Sequence, residues 1–263
     1  MKASPRPTAL VTGAGRRIGR TIALALAERG WQVAVHYRQS GEAALELAAE
    51  IRAAGGQATA ISADLGDARD LAGLVPRCAK ELGPVTCLVN NASEFHLDSA
   101  QSMTASSWDL HMDVNLKAPV FLAQALAENL PLGLEGNVIN IIDQRVWKLT
   151  PEFFSYTISK AGLWTATRTL AQALAPRVRV NAIGPGPVLR SVHQSEGEFA
   201  AECASTLLGR GTSPGEVAAT VAFILATPAM TGQMIALDGG QHLAWCEPDQ
   251  LSAPAAPARN RSN

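Results

Sequence analysis

The sequence predicts a single α/β domain in which a doubly wound parallel sheet of about seven strands carries helices on both faces. Two observations lead to this fold class. Short apolar runs alternate with Ala- and Leu-rich helical stretches, which is the order of elements in a parallel sheet. In addition, runs such as VINII at residues 138–142 are nearly continuously apolar, as expected of a strand that is covered on both faces.

The apolar runs that we predict as strands are, in chain order, Thr8–Val11, Gln32–His36, Gln57–Ser62, Cys87–Val89, Val138–Ile142, Val178–Ile183 and Met234–Leu237. The predicted helices between them lie near residues 18–30, 41–54, 67–82, 106–130, 155–175 and 214–226. Two longer irregular regions, 92–105 and 186–212, each follow a strand. Ligands of doubly wound sheets bind outside the carboxyl ends of the strands, so these regions are expected to shape a substrate pocket.

Composition narrows the class of protein. Hydrophobic residues make up 47% of the 263 residues and charged residues 17%, so the chain can bury a large core. Lys and Arg total 22 against 23 Asp and Glu, and the net charge of −1 provides no basic field for nucleic acid or an anionic membrane. The first ten residues lack the apolar stretch of a signal peptide, and no run is apolar and long enough to span a membrane. We therefore expect a cytoplasmic protein.

Cysteine and histidine spacing predicts no metal site. The four cysteines are scattered without metal-ligand spacing and are expected to act as small buried hydrophobic residues: Cys78, Cys87, Cys203 and Cys246. The five histidines show no ligand spacing either. The folded domain is predicted to cover residues 6–246, and residues 247–263, rich in Pro, Ala and Ser, are predicted to form a disordered tail.

A glycine-rich turn, TGAGRRIG at residues 12–19, follows the first predicted strand directly and opens a helix. Glycines allow the backbone to approach a pyrophosphate, and the helix N-terminus supplies free N–H groups. A tight turn without a ligand could contain the same glycines. The position immediately after the first strand favours a dinucleotide site.

The second predicted strand ends in HYRQS at residues 36–40, where no acidic residue is present. Folds selective for NAD place an acidic residue about 20 positions after the glycine motif, where it binds the ribose 2′-OH. Arg17, Arg38 and Ser40 instead suit the 2′-phosphate of NADP, so we predict a preference for NADPH over NADH. The candidate cofactor contacts in these two segments are Gly13, Arg16, Arg17, Ile18, Gly19, His36, Tyr37, Arg38 and Ser40.

These and later motifs together resemble the short-chain dehydrogenase/reductase superfamily over about residues 6–245. The later motifs, in order, are Asp64-Leu65, Asn90-Asn91-Ala92, Asn115, YTISK at residues 156–160, Pro185-Gly186 and LDGG at residues 237–240. The resemblance implies a Rossmann-type domain that assembles as a homotetramer. It also implies a role for Asn115 in holding a water of the proton relay. Further cofactor contacts implied by the resemblance are Asp64, Leu65, Asn91, Ala92, Pro185, Gly186 and Val188.

The pair Tyr156 and Lys160 carries acid–base chemistry. The two residues are four apart on a predicted helix and project from one face. A neighbouring ammonium is expected to lower the pKa of the phenol, which then donates a proton as hydride arrives. Lys160 can also bind the hydroxyls of the nicotinamide ribose.

One position departs from the superfamily pattern. Most members carry Ser thirteen residues before the Tyr, and this chain has Asp143 there. An ionised carboxylate repels the negative charge that develops on oxygen during ketone reduction. Reduction of a C=N bond forms no alkoxide, and Asp143 can accept a hydrogen bond from Tyr156 or from a substrate N–H group.

A subgroup that carries Asp at this position, the pteridine reductases and related dihydromonapterin reductases, resembles this chain at other positions too. The shared features are Arg17 in the glycine turn, the HYRQS strand end, and NASEF at residues 91–95. The resemblance implies that Phe95 stacks on a flat pterin and that Ser93 and Arg17 contact the substrate.

The sequence therefore predicts an NADPH-dependent reductase of a pterin or dihydropterin, with Asp143, Tyr156, Lys160 and Asn115 as the catalytic set. One alternative is a reductase of a small ketone or sugar that uses protonated Asp143. Another is a non-catalytic NADPH-binding scaffold.

Overall fold

The computed structural model describes residues 6–245. The predicted tail and Cys246 lie outside the described residues. The sheet has seven parallel strands in the order β3-β2-β1-β4-β5-β6-β7, which confirms the predicted fold class. The strands are β1 (Thr8–Val11), β2 (Gln32–Tyr37), β3 (Gln57–Ser62), β4 (Val85–Asn90), β5 (Gly136–Ile141), β6 (Val178–Pro185) and β7 (Met234–Leu237).

Eight α-helices surround the sheet in the described part of the chain. They are α1 (Arg17–Glu28), α2 (Gly41–Ala53), α3 (Ala68–Leu82), α4 (Ala105–Met112), α5 (Ala118–Asn129), α6 (Phe154–Leu174), α7 (Glu196–Ala204) and α8 (Pro214–Leu225). Alternation along the strands sends side chains into two cores. In β1, Ala9 and Val11 join the core beneath α1, α2 and α8, whereas Leu10 joins the core beneath α3 and α5. Both faces are therefore dry, which explains the nearly continuous apolar strands.

Two predicted segments differ from the structure. The single helix expected near 106–130 is interrupted by a π-helical turn, Asp113–Lys117, between α4 and α5. The region 186–212, expected to be irregular, contains α7. This short helix begins with a capping box, because Ser195 Oγ accepts from the Glu198 amide and the Glu198 carboxylate accepts from the Ser195 amide. The Ser-x-x-Glu spacing is a sequence signature of a helix start, so α7 could have been predicted from it.

The prediction of buried cysteines is confirmed for two of the three that the structure describes and is wrong for Cys203, which is only partly buried. Cys78 and Cys87 are buried, and burial raises the pKa of each thiol to about 12. Within residues 6–245, no group of three or more His, Cys, Asp and Glu side chains is placed to hold a metal ion. In the same range, no helix is both long and apolar enough to cross a bilayer.

Candidate active site

The glycine turn is held open by close backbone packing after β1. Gly13 has φ +63°, in the left-handed region that favours glycine. A Cβ on Gly19 would lie 2.4 Å from the Gly13 carbonyl oxygen and 2.6 Å from Asn91 Nδ2. No side chain fits at position 19, so the start of α1 packs directly against the turn.

The end of β4 supports this turn through hydrogen bonds. Asn91 Nδ2 donates to the Thr12 carbonyl at 2.9 Å and to the Gly13 carbonyl at 3.2 Å. Thr12 Oγ1 accepts from the backbone amides of Asn91 and Ala92 at 2.9 and 3.0 Å. Asn91 thus fixes the shape of the turn. Its contact with a cofactor stays a prediction.

His36 supports the turn from the β2 side. Its Nδ1 accepts from the Gly13 amide at 3.1 Å, and its Nε2 lies 3.1 Å from the Ala63 carbonyl. Since a carbonyl can only accept, Nε2 carries the proton and the ring is neutral. Burial lowers the pKa of His36 to about 4, which keeps it neutral over the physiological range.

A cavity of about 670 Å³ opens at this turn and gathers most of the predicted cofactor contacts. Its lining includes Gly13, Arg16, Arg17, Ile18, Gly19, His36, Arg38, Ser40, Asp64, Leu65, Asn91 and Ala92, together with Ser93 and Glu94. Tyr37, also predicted to contact cofactor, is not part of this lining. Its neighbour His36 points to the turn, and strand alternation sends the Tyr37 ring toward Gly41, so its predicted contact is not supported.

Arg17 has an unusual backbone and reaches the substrate-side loop. Its φ of +53° is in the left-handed region although it carries a side chain. The guanidinium donates to the carbonyls of Leu189 and Arg190 at 3.1 and 3.0 Å. Arg17 lines the first cavity and also a second one, as expected for a residue predicted to touch both cofactor and substrate.

The second cavity, of about 650 Å³, contains the predicted acid–base residues Asp143, Tyr156 and Lys160. Tyr156 Oη donates to Asp143 Oδ2 at 2.9 Å, and Asp143 Oδ1 accepts from the Arg145 amide at 2.8 Å. Lys160 Nζ donates to the Ile141 carbonyl at 2.9 Å. Pro185, Gly186 and Val188 line the same cavity.

Burial shifts the pKa values of this set. Burial and the Asp143 carboxylate raise the pKa of Tyr156 well above its usual value, and burial also raises the pKa of Asp143. The expectation that Lys160 lowers the pKa of Tyr156 is therefore wrong for this structure. The hydrogen-bond partner of the phenol is Asp143, whereas the ammonium of Lys160 binds the Ile141 carbonyl. Burial lowers the pKa of Lys160 itself to about 8.

Phe95 lines the second cavity inside an aromatic cluster. Its ring stacks on Phe153 with centroids 4.3 Å apart and planes 9° apart, and it meets Tyr156 edge-on at 4.7 Å. Phe153 has φ +53°, and the Arg145 guanidinium lies over its ring at 5.2 Å. The sequence interpretation missed Phe153 and Arg145, because a left-handed residue other than glycine leaves no pattern in sequence.

Asn115 is enclosed in the π-helical turn and lines neither cavity. Its Oδ1 accepts from the Glu94 amide at 2.8 Å and from Ser93 Oγ at 3.2 Å. Its Nδ2 donates to the Glu94 carbonyl at 3.0 Å and to Ser159 Oγ at 3.1 Å. Asn115 therefore joins the segment after β4 to α6, and its predicted contact with a relay water stays a prediction.

A buried chain of polar groups, also missed, anchors the start of α6. Asp98 accepts from the backbone amide of Ser155 at 3.1 Å and from its hydroxyl. His111 Nδ1 lies 2.6 Å from Ser155 Oγ, and its Nε2 accepts from the His96 amide. Since Ser155 directly precedes Tyr156, this chain positions the phenol.

Residues 7–200 match the short chain dehydrogenase family. The chain belongs to this family. A 3-oxoacyl-[acyl-carrier-protein] reductase of Synechocystis is 35% identical to this short chain dehydrogenase family member over 245 residues, which cover 91% of this chain and 98% of the relative.

Two crystal structures resemble this family member more strongly in sequence than that reductase does. FolM alternative dihydrofolate reductase 1 from Brucella canis, complexed with NADP, is 48% identical with a TM-score of 0.90, and the match covers 92% of this chain and 96% of that one. The same protein from Brucella suis, in complex with NADP, is 48% identical with a TM-score of 0.90, over 95% of this chain and 99% of that one.

The close packing at Gly19 predicts the effect of a single methyl group. Gly19→Ala forces a Cβ onto the Gly13 carbonyl, so we expect at least tenfold weaker binding of NADP+ in a fluorescence or calorimetric titration, about 1.4 kcal/mol or more. Gly73→Ala, within α3, is the matched control, because its Cβ would meet only Arg77 Cδ at 3.7 Å. The control should bind normally and unfold at equal or higher temperature. Equal affinity in Gly19→Ala would contradict this role of the turn.

Proposed function

We propose that the protein is an NADPH-dependent reductase that transfers hydride to a C=N bond of a pterin or dihydropterin. The hydrogen bond from Tyr156 Oη to Asp143 Oδ2, within a cavity that Phe95 also lines, is the observation that carries the proposal. A carboxylate hydrogen-bonded to the proton donor suits protonation of nitrogen, because no alkoxide has to be stabilised at that place.

The first cavity fits a dinucleotide with a 2′-phosphate. The glycine turn and the N-terminus of α1 would hold the pyrophosphate, since a side chain at Gly19 is excluded and the turn is otherwise open. Arg38 and Ser40, at the end of β2, would hold the 2′-phosphate. NADPH bound there would supply the hydride. The NADP complexes of the two 48% identical structures support this assignment.

The protein residues would supply the proton. The raised pKa of Tyr156 keeps its phenol protonated until hydride transfer increases the electron density on a substrate nitrogen. The phenol would then donate its proton to that nitrogen. Asp143 holds the phenol in one orientation. Burial also raises the pKa of Asp143, so this carboxyl group takes up a proton more readily than an exposed one. Lys160, fixed on the Ile141 carbonyl, would bind ribose hydroxyls.

The aromatic cluster favours a flat heterocycle. Phe95 and Phe153 form a stacked pair beside Tyr156, and planar rings gain about 0.5–1.5 kcal/mol from such stacking beyond the area they bury. Ser93 and Arg17, at the border of the two cavities, would contact the polar edge of the ring. The FolM proteins are named dihydrofolate reductases, and dihydrofolate contains a dihydropterin ring.

A reductase of a ketone is the second candidate. The Synechocystis relative acts on a 3-oxoacyl group by its name. The raised pKa of Asp143 also favours the protonated carboxyl group that this alternative needs. The two candidates differ in the substrate that Tyr156 protonates.

Self-association is part of the proposal. We propose a homotetramer, as expected from the family resemblance.

Turnover separates the two candidates. We expect NADPH oxidation with 7,8-dihydromonapterin, dihydrobiopterin or dihydrofolate to exceed that with acetoacetyl and small-ketone substrates.

Tyr156→Phe should lower kcat by about 10²–10⁴-fold and leave NADP+ affinity within about twofold. Tyr37→Phe, which changes the other of the two tyrosines, is the control and should retain full activity. Faster turnover of ketones would refute the pterin assignment, and full activity of Tyr156→Phe would refute the role of Tyr156 as proton donor. Binding of NADPH without any turnover would point to a scaffold.

The lowered pKa of Lys160 predicts a pH limit. Below its pKa of about 8 the ammonium is charged and can bind ribose hydroxyls, and above this pH the charge is lost. We expect kcat/KM for the dihydropterin to fall as pH rises through about 8, by up to tenfold for each pH unit. In Lys160→Met the activity should be low and this limb absent. A wild-type profile that is flat between pH 7 and 9.5 would contradict the role of Lys160.

A further inference from the structure

Glu94 is an acidic residue in the cavity that gathers the predicted phosphate-binding cations. Its carboxylate Oε1 lies 2.7 Å from Arg38 Nη2. The Glu94 side chain is 17% exposed and that of Arg38 is 37% exposed, so the pair is partly screened from water. The residue proposed to hold the 2′-phosphate is therefore already paired with a carboxylate.

The order of the strands places Arg38 and Glu94 on either side of the glycine turn. Arg38 follows β2 and Glu94 follows β4, and these strands flank β1. The glycine turn begins at the end of β1, between them. A cofactor that lies on the glycine turn thus meets the Arg38–Glu94 pair.

Glu94 is fixed at its backbone and not through its charge. Asn115 accepts from the Glu94 amide and donates to the Glu94 carbonyl, so the backbone of Glu94 stays in place when its side chain changes. The second carboxylate oxygen lies 3.1 Å from His96 Nε2, on a side chain that is half exposed. Loss of the carboxylate charge should therefore leave the segment after β4 intact.

We propose that Glu94 is a specificity-determining residue that competes with the cofactor 2′-phosphate for Arg38. Both groups are anions that would pair with the same guanidinium, and Arg38 and Glu94 line the same cavity. The phosphate, with nearly two negative charges, displaces the carboxylate, and the displaced Glu94 remains near it as a like charge. Glu94 therefore weakens binding of the 2′-phosphate and leaves a cofactor without that group almost unaffected.

This competition has a useful consequence for an enzyme that must release NADP+. As the 2′-phosphate leaves, the Glu94 carboxylate pairs with Arg38 again. This ion pair stabilises the empty site and so favours release of the cofactor. Substitution of Glu94 should then increase the affinity for the phosphorylated cofactor, which is the opposite of what a supporting residue would show.

Calorimetric titration of the full-length protein with 2′,5′-ADP and 5′-ADP tests the proposal without any substrate. We expect Glu94→Gln and Glu94→Ala to bind 2′,5′-ADP about three- to tenfold more tightly and to bind 5′-ADP within about twofold of wild type. Glu128→Gln is the matched control, since Glu128 lies exposed near the end of α5 and outside both cavities. It should change neither affinity. Thermal unfolding of each variant verifies the fold.

The Arg38→Gln background shows whether Glu94 acts through Arg38. There, the gain from Glu94→Gln should shrink to less than about twofold. The proposal is overturned if Glu94→Gln weakens 2′,5′-ADP binding, tightens both nucleotides equally, or keeps its full gain in this background. It rests on the proposed role of Arg38, and the two can fail separately. If Arg38→Gln leaves 2′,5′-ADP binding unchanged, that role and the proposal both fail. If Arg38→Gln weakens binding and Glu94→Gln does not tighten it, only the proposal fails.

Discussion

The site depends on one physical constraint. Polar groups at the carboxyl edge of the sheet are buried, and each therefore needs a hydrogen-bond partner. A buried polar group is costly unless it has a partner, and here the partners are supplied by neighbouring strands. Thr12 after β1 and Asn91 after β4 satisfy each other and shape the glycine turn. Asp143 after β5 accepts from Tyr156 on α6. Hydrogen bonds that the parallel order of the strands makes possible thus hold Asn91 and Tyr156 in place.

The same enclosure sets the charge states of the site. His36 stays neutral because it is buried, and so it can accept from the Gly13 amide. Tyr156 is kept protonated by burial and by Asp143, while Lys160 has a pKa of about 8. Burial therefore favours a protonated phenol that is hydrogen-bonded to the carboxyl group of Asp143.

The sequence predicted much of this arrangement because its signals are local. Apolar runs identified all seven strands, and the glycine turn and the Tyr156–Lys160 spacing brought most of the site together. Contacts between residues that are far apart in the sequence were not predicted. Glu94 stands beside Arg38 only because β2 and β4 flank β1, and Phe153 meets Phe95 only through a left-handed turn before α6. The direction of the Tyr156 pKa was mispredicted because spacing shows that Lys160 is near, but shows neither the burial of the phenol nor its hydrogen bond to Asp143, and these raise the pKa.

The exchange of Asp143 for Ser tests most directly whether this carboxylate selects C=N over C=O reduction. The measurement is the ratio of kcat/KM for a dihydropterin to kcat/KM for a small ketone, in wild type, Asp143→Ser and the isosteric Asp143→Asn. If Asp143 directs the chemistry, Asp143→Ser lowers this ratio by about tenfold or more, with loss of pterin turnover and gain of ketone turnover. Asp143→Asn should lower pterin turnover without the gain for ketones. An unchanged ratio in Asp143→Ser would contradict the central role given to the Asp143–Tyr156 hydrogen bond.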